Sequence, residues 1–304
     1  MIMNYRNIIK SRDLRIKILS VFSWIPCSFM LRLQYWMQTG RKLNLKNPKR
    51  FTEKLQLYKL KYRNPNMLRC TDKYEVRSFV EEKGLGKYLI PLIGIYDRVE
   101  EIDFKALPQQ FVAKTTDGGG GNEVLVCKDK NGLSETFFYD KLNGWMRMPK
   151  TLKTAGREWA YENHFPRRIL IEELIEDEER KDLIDYKFFC FGGKVAYIYG
   201  ISDRQVGVSA QFGIYDKDFK KLAVDRCDER HQEVALPKPS NYERMLEMAE
   251  RLSEDFPHVR VDLYNVNGKI YFGEQTFYDG SGYMSYNPDS FDYELGNSFD
   301  INSF

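Results

Sequence analysis

The chain offers few of the residues that most often announce catalysis. It contains three histidines and five cysteines among 304 residues. Cys27, Cys70, Cys127, Cys190 and Cys227 are scattered, with no CxxC pair, so neither a zinc site nor a disulfide framework is indicated. A reducing, cytoplasmic compartment is the expectation. His164, His231 and His258 lie in no motif, and no histidine base is evident. A nucleotide-sugar signature is also missing, which argues against sugar transfer. The apolar, aromatic stretch "ILSVFSWIPCSFMLRLQYWM", residues 18–37, is interrupted by Pro26 and contains Arg32, where a membrane span wants about 20 apolar residues. No small-residue cleavage site follows a short apolar core, so a signal peptide is not expected.

What the chain does have is an uneven charge. Residues 1–69 hold 16 Lys and Arg against Asp13 and Glu53, a balance of +14, while the remainder holds 31 against 42, a balance of −11. A segment this basic faces something anionic. Nucleic acid, an anionic membrane surface and the acidic body of the same chain are the candidates. The aromatic stretch, flanked by Arg12, Arg15, Lys17, Arg41 and Lys42, gives membrane contact local support, and no nucleic-acid partner is expected. A helical pair packed on the core with a solvated basic face is the competing reading.

With 42% hydrophobic and 14% aromatic residues, the chain reads as globular. "DKYEVRSFVEEKG", residues 72–84, predicts a helix with a capping-box start at Asp72 and Glu75 and a stop at Gly84. A strand is expected in "KYLIPLIGIYD", then at 110–116, 123–128, 168–175, 185–191, 194–201, 259–265 and 269–277. Helices are expected around 134–142, 154–163 and 240–255. With no internal repeat or low-complexity linker, these elements form one α+β body.

Three constellations stand out. "FVAKTTDGGGGNEV", residues 111–124, places four glycines after Lys114 but matches neither GxxxxGK[ST] nor GxGxxG. It describes a hairpin with a mobile tip, either a plain turn or a backbone cradle for phosphate oxygens. "VRVDLYNVNGKIYFGEQTFYDGSG", residues 259–282, is a hairpin carrying Arg260, Asp262, Glu274 and Thr276. A two-residue Asn267-Gly268 turn would pair Asp262 with Gly273 and throw Glu274 onto the other face. The expectation is therefore a three-residue loop, Val266 to Gly268, pairing Arg260 with Glu274. Its two acids suit Mg²⁺ held jointly with nucleotide phosphates, or else an Arg260–Glu274 ion pair with Asp262 exposed. "RRILIEELIEDEERKD", residues 167–182, ends a strand in an acidic turn, a surface turn or an adenine and ribose contact. Downstream, Asp185 and Lys187 face one way among apolar neighbours, with the lysine snorkelling or aimed at a phosphate.

Taken in order, "LNLKNPKRFTEKLQLYKL", "TDKYEVRSFVEEK", "FVAKTTDGGGG", "REWAYENHFPRRILIEELI", "DYKFFCFGGKV" and "FGEQTFYDGSG" resemble the ATP-grasp superfamily, and within it the TupA-like, teichuronopeptide-biosynthesis branch. The resemblance implies an α+β ATP-grasp fold, two α+β subdomains gripping ATP behind a small α/β subdomain. The corresponding division is a basic helical leader at 1–66, an N-terminal α/β subdomain at 67–107, a lid subdomain at 108–175 and a C-terminal subdomain with the metal site at 176–304. It also implies roles. Lys73 and Lys114 are the phosphate-binding lysines, and Gly118, Gly119, Gly120 and Gly121 form the lid loop. Glu172, Glu173, Leu174 and Ile175 are the adenine hinge, with Asp177 or Glu178 toward ribose. Asp262, Glu274 and Thr276 hold one or two Mg²⁺ ions; many members of the superfamily have Asn where this chain has Thr276. Arg260 and Lys187 are the candidate catalytic cations.

The implied chemistry is carboxylate–amine ligation through an acyl phosphate. The branch suggests an amino acid or other amine joined to a uronic acid of a bacterial surface polysaccharide, by a cytoplasmic enzyme in peripheral contact with the inner membrane face. An ATP-dependent phosphotransferase on a glycan and a non-catalytic scaffold are the alternatives.

Overall fold

The computed structural model describes residues 18, 21–22, 24–119, 121, 123–147, 156–162, 164–177, 183–202, 210–302 and 304. Alternation of apolar and polar residues sets the strands, and two sheets result. The first is four-stranded, in the order β1 (Leu92–Tyr96), β4 (Ile169–Glu172), β2 (Phe111–Thr115), β3 (Val124–Cys127), all antiparallel. Helix α5 (Glu135–Met146), capped by the Ser134 hydroxyl on the Phe137 N–H, covers it. Phe111, Leu125, Phe138, Leu142 and Ile171 make their shared core.

The second sheet has six strands in the order β11 (Lys269–Thr276), β10 (His258–Val266), β5 (Asp185–Phe191), β6 (Lys194–Ser202), β7 (Gln211–Asp216), β9 (Arg230–His231), antiparallel except for the β7–β9 pair. A small pair joins β8 (Asp225–Arg226) to β12 (Tyr286–Asn287). Residues of α2 (Phe51–Lys61), α3 (Pro65–Thr71), α4 (Glu75–Glu82), α6 (Tyr242–Ser253) and α7 (Ser290–Ser298) share one core with this sheet. Ahead of them, α1 (Cys27–Thr39) packs through Leu31 and Tyr35 beside Leu43. The expected division after residue 107 falls between β1 and β2, which lie in one sheet, and α2 from the leader lies in the core of the six-stranded one.

The expected helix at 72–84 is present as α4, with the Asp72 carboxylate accepting from the Tyr74 and Glu75 N–H groups. Of the helix expected at 154–163, residues 154–155 and 163 lie outside the described residues, and Trp159–Tyr161 form a single 3₁₀ turn.

The C-terminal hairpin corrects the expected register. Val266 pairs with Lys269, so the turn has two residues, Asn267 and Gly268, with φ of 51° and 77°. Positive φ at both positions is the primed turn that matches strand twist. The face problem is solved further along. Between Asp262 and Leu263 the register shifts, with Asp262 opposite Glu274 and Leu263 opposite Phe272, leaving Gly273 as a bulge. The bulge returns Glu274 to the face of Asp262 and puts Thr276, not Glu274, opposite Arg260. A Cβ on Gly273 would stand 3.0 Å from the Asp262 carbonyl oxygen and 3.1 Å from the Tyr264 ring.

Phe51, Phe189, Phe191 and Phe299 surround the ring of His258, which is fully buried. Its Nδ1–H donates to the Cys190 carbonyl at 2.9 Å, while Nε2 has no partner. Burial pulls the imidazole pKa down to about 4.

Two predictions follow from this frame. Gly273→Val should lower the unfolding free energy by about 1–3 kcal/mol through overpacking, whereas Gly119→Ala, with open space around it, should change it by less than about 0.5 kcal/mol; urea unfolding measures both. His258 protonates more readily in the unfolded chain, so its contribution is complete above pH 6.5 and is lost as pH falls toward 4, by up to about 3 kcal/mol. His258→Phe should flatten the stability profile in that window relative to wild type.

Candidate functional site

The sequence-predicted residues fall into three contact groups. The first is a polar stripe across β5, β10 and β11. Asp262 sits opposite Lys187 on one side and Glu274 on the other, so the alternation of three neighbouring strands delivers their side chains to one face. Arg260 donates from Nε to Asp262 Oδ1 and from NH2 to Oδ2, both at 2.7 Å. Its NH2 also reaches Glu274 at 3.3 Å and the Thr276 hydroxyl at 3.1 Å. Lys187 pairs with Asp262, and with Asp185 at 3.5 Å. Asp262 is buried, not exposed.

Burial alone would raise the Asp262 pKa, but Arg260 and then Lys187 outweigh it and hold the carboxyl below its ordinary range. Burial likewise works to discharge Arg260, and Asp262 and Asp279 outweigh that, holding the guanidinium pKa well above its usual value.

Asp279 is the member that sequence reasoning missed. It stands at the exit of β11, 1% exposed, and accepts from Arg260 and, at 3.5 Å, from Arg226. The signal was present as an acid leading into the glycines of "YDGSG", with nothing local to show that it folds back. The turn over Asp279–Gly282 is held from α2, where Lys59 Nζ donates to the Ser281 carbonyl at 2.9 Å and Gln56 Nε2 to Ser281 and Gly282 at 3.0 Å. Lys59 is fully buried; burial pulls its pKa down, opposed by Glu158 at 3.0 Å.

The second group joins Lys114 to Glu172. Val112 faces Glu172 across β2 and β4, so Lys114, two residues on, lies on the same face and its Nζ meets Oε1 at 2.5 Å. The Glu173 N–H is engaged by the Pro91 carbonyl at 3.0 Å. Leu174, Ile175 and Asp177 follow, each partly exposed, with the strand ending at Glu172 rather than 175. Glu178 lies outside the described residues. Arg77, not anticipated, comes near Glu172; burial lowers its pKa and Glu172 opposes this.

The third group is the glycine loop. Lys73 N–H donates to the Thr116 carbonyl at 2.8 Å and its Nζ to the Gly118 carbonyl, so the lysine that precedes α4 reaches the loop. Gly119 and Gly121 have open space on the Cβ side, and Gly120 lies outside the described residues. An isolated bridge from Leu89 to Phe272 of β11 connects the chain just ahead of β1 to the six-stranded sheet.

A family model for TupA-like ATP-grasp proteins matches residues 53–300. The chain belongs to that family. The match spans all three groups, and the two-sheet architecture with its helices is the α+β ATP-grasp fold. Among solved structures, D-alanine–D-alanine ligase from Bacillus anthracis complexed with ATP is similar at 16% identity and a TM-score of 0.41, over 69% of this chain and 55% of that one. L-amino acid ligase from Bacillus licheniformis gives 14% and 0.42 over 73% and 44%, and biotin carboxylase from Campylobacter jejuni 14% and 0.43 over 76% and 47%. The TupA-like chain thus spans about half the length of these enzymes. No curated protein gives a significant match.

The ATP-grasp family implies Mg²⁺, and the donor set tests the fit. Asp262, Glu274 and Thr276 offer only hard oxygen atoms from one face. Both Asp262 oxygens are engaged by Arg260 or Lys187, whereas the Glu274 side chain is 47% exposed and the more available ligand. Among the described residues no cluster of three or more His, Cys, Asp or Glu forms a ready-made metal site. Lys187, Arg226 and Arg260 face Asp185, Asp262, Asp279 and Glu274, three positive against four negative groups even leaving aside the exposed Asp228. The cluster alone therefore gives a triphosphate no net attraction, and a shared divalent cation fits it.

Asp279→Ala should cost about 3 kcal/mol, because it strips a buried guanidinium of its carboxylate. Glu274→Ala, removing the exposed partner of the same Arg260, should cost less than about 1 kcal/mol. Denaturant midpoints for the two variants distinguish the roles.

Proposed function

We propose that this TupA-like chain is an ATP-dependent carboxylate–amine ligase working through an acyl phosphate, and that it joins an amino acid or other amine to a uronic acid of a bacterial surface polysaccharide. The observation that carries the reading is the stripe of Lys187, Arg260, Asp262, Glu274 and Thr276, which combines cations for a transferring phosphoryl group with oxygen donors on one face.

In this reading the glycine loop, Gly118 to Gly121, closes over the triphosphate, with Lys73 and Lys114 as its point charges. Glu172 to Ile175 receive the adenine edge, and Asp177 the ribose. A carboxylate oxygen of the acceptor attacks the γ-phosphorus, the bond to the β,γ-bridging oxygen breaks, and ADP leaves. Arg260 and Lys187 stabilise the charge on the transferring group, and their fixed partners Asp262 and Asp279 make that stabilisation preorganised. Mg²⁺ held by Asp262, Glu274 and Thr276 would add charge neutralisation at the phosphates. The amine nitrogen then attacks the acyl carbon, the carbon–oxygen bond to phosphate breaks, and a proton is lost from nitrogen. Exclusion of water by the closed loop protects the acyl phosphate between the two steps. The uronic acid acceptor follows from the resemblance of this branch to teichuronopeptide biosynthesis, as does a cytoplasmic location with peripheral contact at the inner membrane face.

Hydroxylamine trapping tests the intermediate. With ATP, Mg²⁺ and uronic-acid glycans, the enzyme should release ADP and yield a hydroxamate, and Lys114→Met or Lys187→Met should reduce the yield by about 100-fold or more. ADP release into a stable phosphoester, with no hydroxamate, would overturn the ligase in favour of a phosphotransferase.

A further inference from the structure

The outer face of α1 carries Phe29, Leu33 and Trp36 at i, i+4 and i+7, exposed by 59%, 38% and 57%. Val21, Phe22 and Trp24 extend the patch ahead of the helix, with Trp24 78% exposed. The inner face, Met30, Leu31, Gln34 and Tyr35, is buried, so α1 is docked on the protein by one side and presents the aromatic side outward. With 13 residues it cannot cross a bilayer, and no helix among the described residues is long and apolar enough to do so.

The charge around the patch selects its occupant. Residues 14–52 contain eight Lys and Arg and no Asp or Glu. Arg41 and Arg50 are taken up by Asp289, but Arg32, Lys42, Lys46 and Lys49 are exposed. Aromatic and aliphatic side chains on one face of a short helix, in a segment that carries basic residues and no acid, match a surface of anionic lipid headgroups.

The same patch is tied to the site. Gln34 on the inner face of α1 accepts from the Tyr283 hydroxyl at 3.1 Å, at the end of the turn that begins with Asp279. Arg157 donates to the Phe22 carbonyl at 2.6 Å, and its neighbour Glu158 pairs with Lys59, which holds the Ser281 carbonyl. We propose that α1 lies in the plane of an anionic bilayer and that it turns the Asp279–Tyr283 side of the site to the membrane, so that the carboxylate acceptor is carried on a lipid-anchored amphiphile. The acceptor half rests on the ligase reading; the docking half does not.

The test uses the full chain and vesicles of phosphatidylcholine with and without phosphatidylglycerol. The protein should sediment with the anionic vesicles and blue-shift its tryptophan emission there. F29S/L33S/W36S should bind at least about tenfold less, and K42E/K46E should lose the preference for anionic vesicles. Both variants should melt like wild type and form hydroxamate from a soluble uronate at the wild-type rate. Undiminished vesicle binding by the triple variant overturns the anchor, as does a vesicle-free dimer that already buries the tryptophans. No vesicle binding with normal hydroxamate formation sinks the docking and leaves the ligase standing. Binding without any hydroxamate keeps the docking and sinks the ligase reading, and a lipid-anchored uronate in anionic vesicles that yields hydroxamate no faster with wild type than with the triple variant sinks the lipid-carried acceptor.

Discussion

The structure around the candidate site depends on keeping one guanidinium charged where it is almost out of reach of water. Arg260 is 8% exposed, and an unpaired charge at that depth would cost several kcal/mol. Asp262 takes its Nε and NH2, Asp279 its NH1, and Thr276 and Glu274 share NH2 with Asp262. Each partner comes from a different constraint. Asp262 is on the same strand, Thr276 and Glu274 reach it through the bulge, and Asp279 through a turn clamped by α2. Bulge, turn and helix therefore answer to a single buried ion.

This explains what was legible in the sequence and what was not. The strands β1 to β6, β10 and β11 were readable because alternation and β-branched or aromatic residues act locally. The cations and acids of the site were readable for the same reason, since their faces follow from strand period. The turn register was not. Requiring Asp262 and Glu274 to share a face was sound, but an Asn-Gly turn plus a bulge meets that requirement as well as a longer loop, and a glycine inside a strand was the only hint. Asp279 escaped because its partners lie across a turn rather than along a strand.

Other omissions have a similar origin. The leader was read as helical and basic, but α2 buries Glu53, Gln56 and Lys59 along with its apolar residues, so no amphipathic stripe revealed that it belongs to the main core. Helix α7 has nine residues and is fixed by partners far away in sequence, with Asp292 accepting from the Thr52 N–H and hydroxyl and Lys54 donating to the Gly296 and Phe299 carbonyls. Strand β7 is short, and its buried run gains meaning only beside β6. The +14 of the first 69 residues left nucleic acid, an anionic membrane surface and the acidic body of the same chain as candidates; part of it faces that body, at Asp289, Asp292 and Glu158.

The bridge between Leu89 and Phe272 ties the four-stranded sheet to the six-stranded one at one margin, and Lys73 ties it again at the loop that joins β2 to β3. In the order β1, β4, β2, β3, the strand next to that seam is β1 and the strand farthest from it is β3. Three interstrand spacings of about 4.8 Å put β3 roughly 14 Å from an axis along β1. A rotation of about 15° at the seam would carry β3, and the glycine loop joined to it, through nearly 4 Å, enough to break both hydrogen bonds that Lys73 makes to the Thr116 and Gly118 carbonyls. The sheet is thus held at both places, and any swing of the glycine loop first requires Lys73 to release the Thr116 and Gly118 carbonyls.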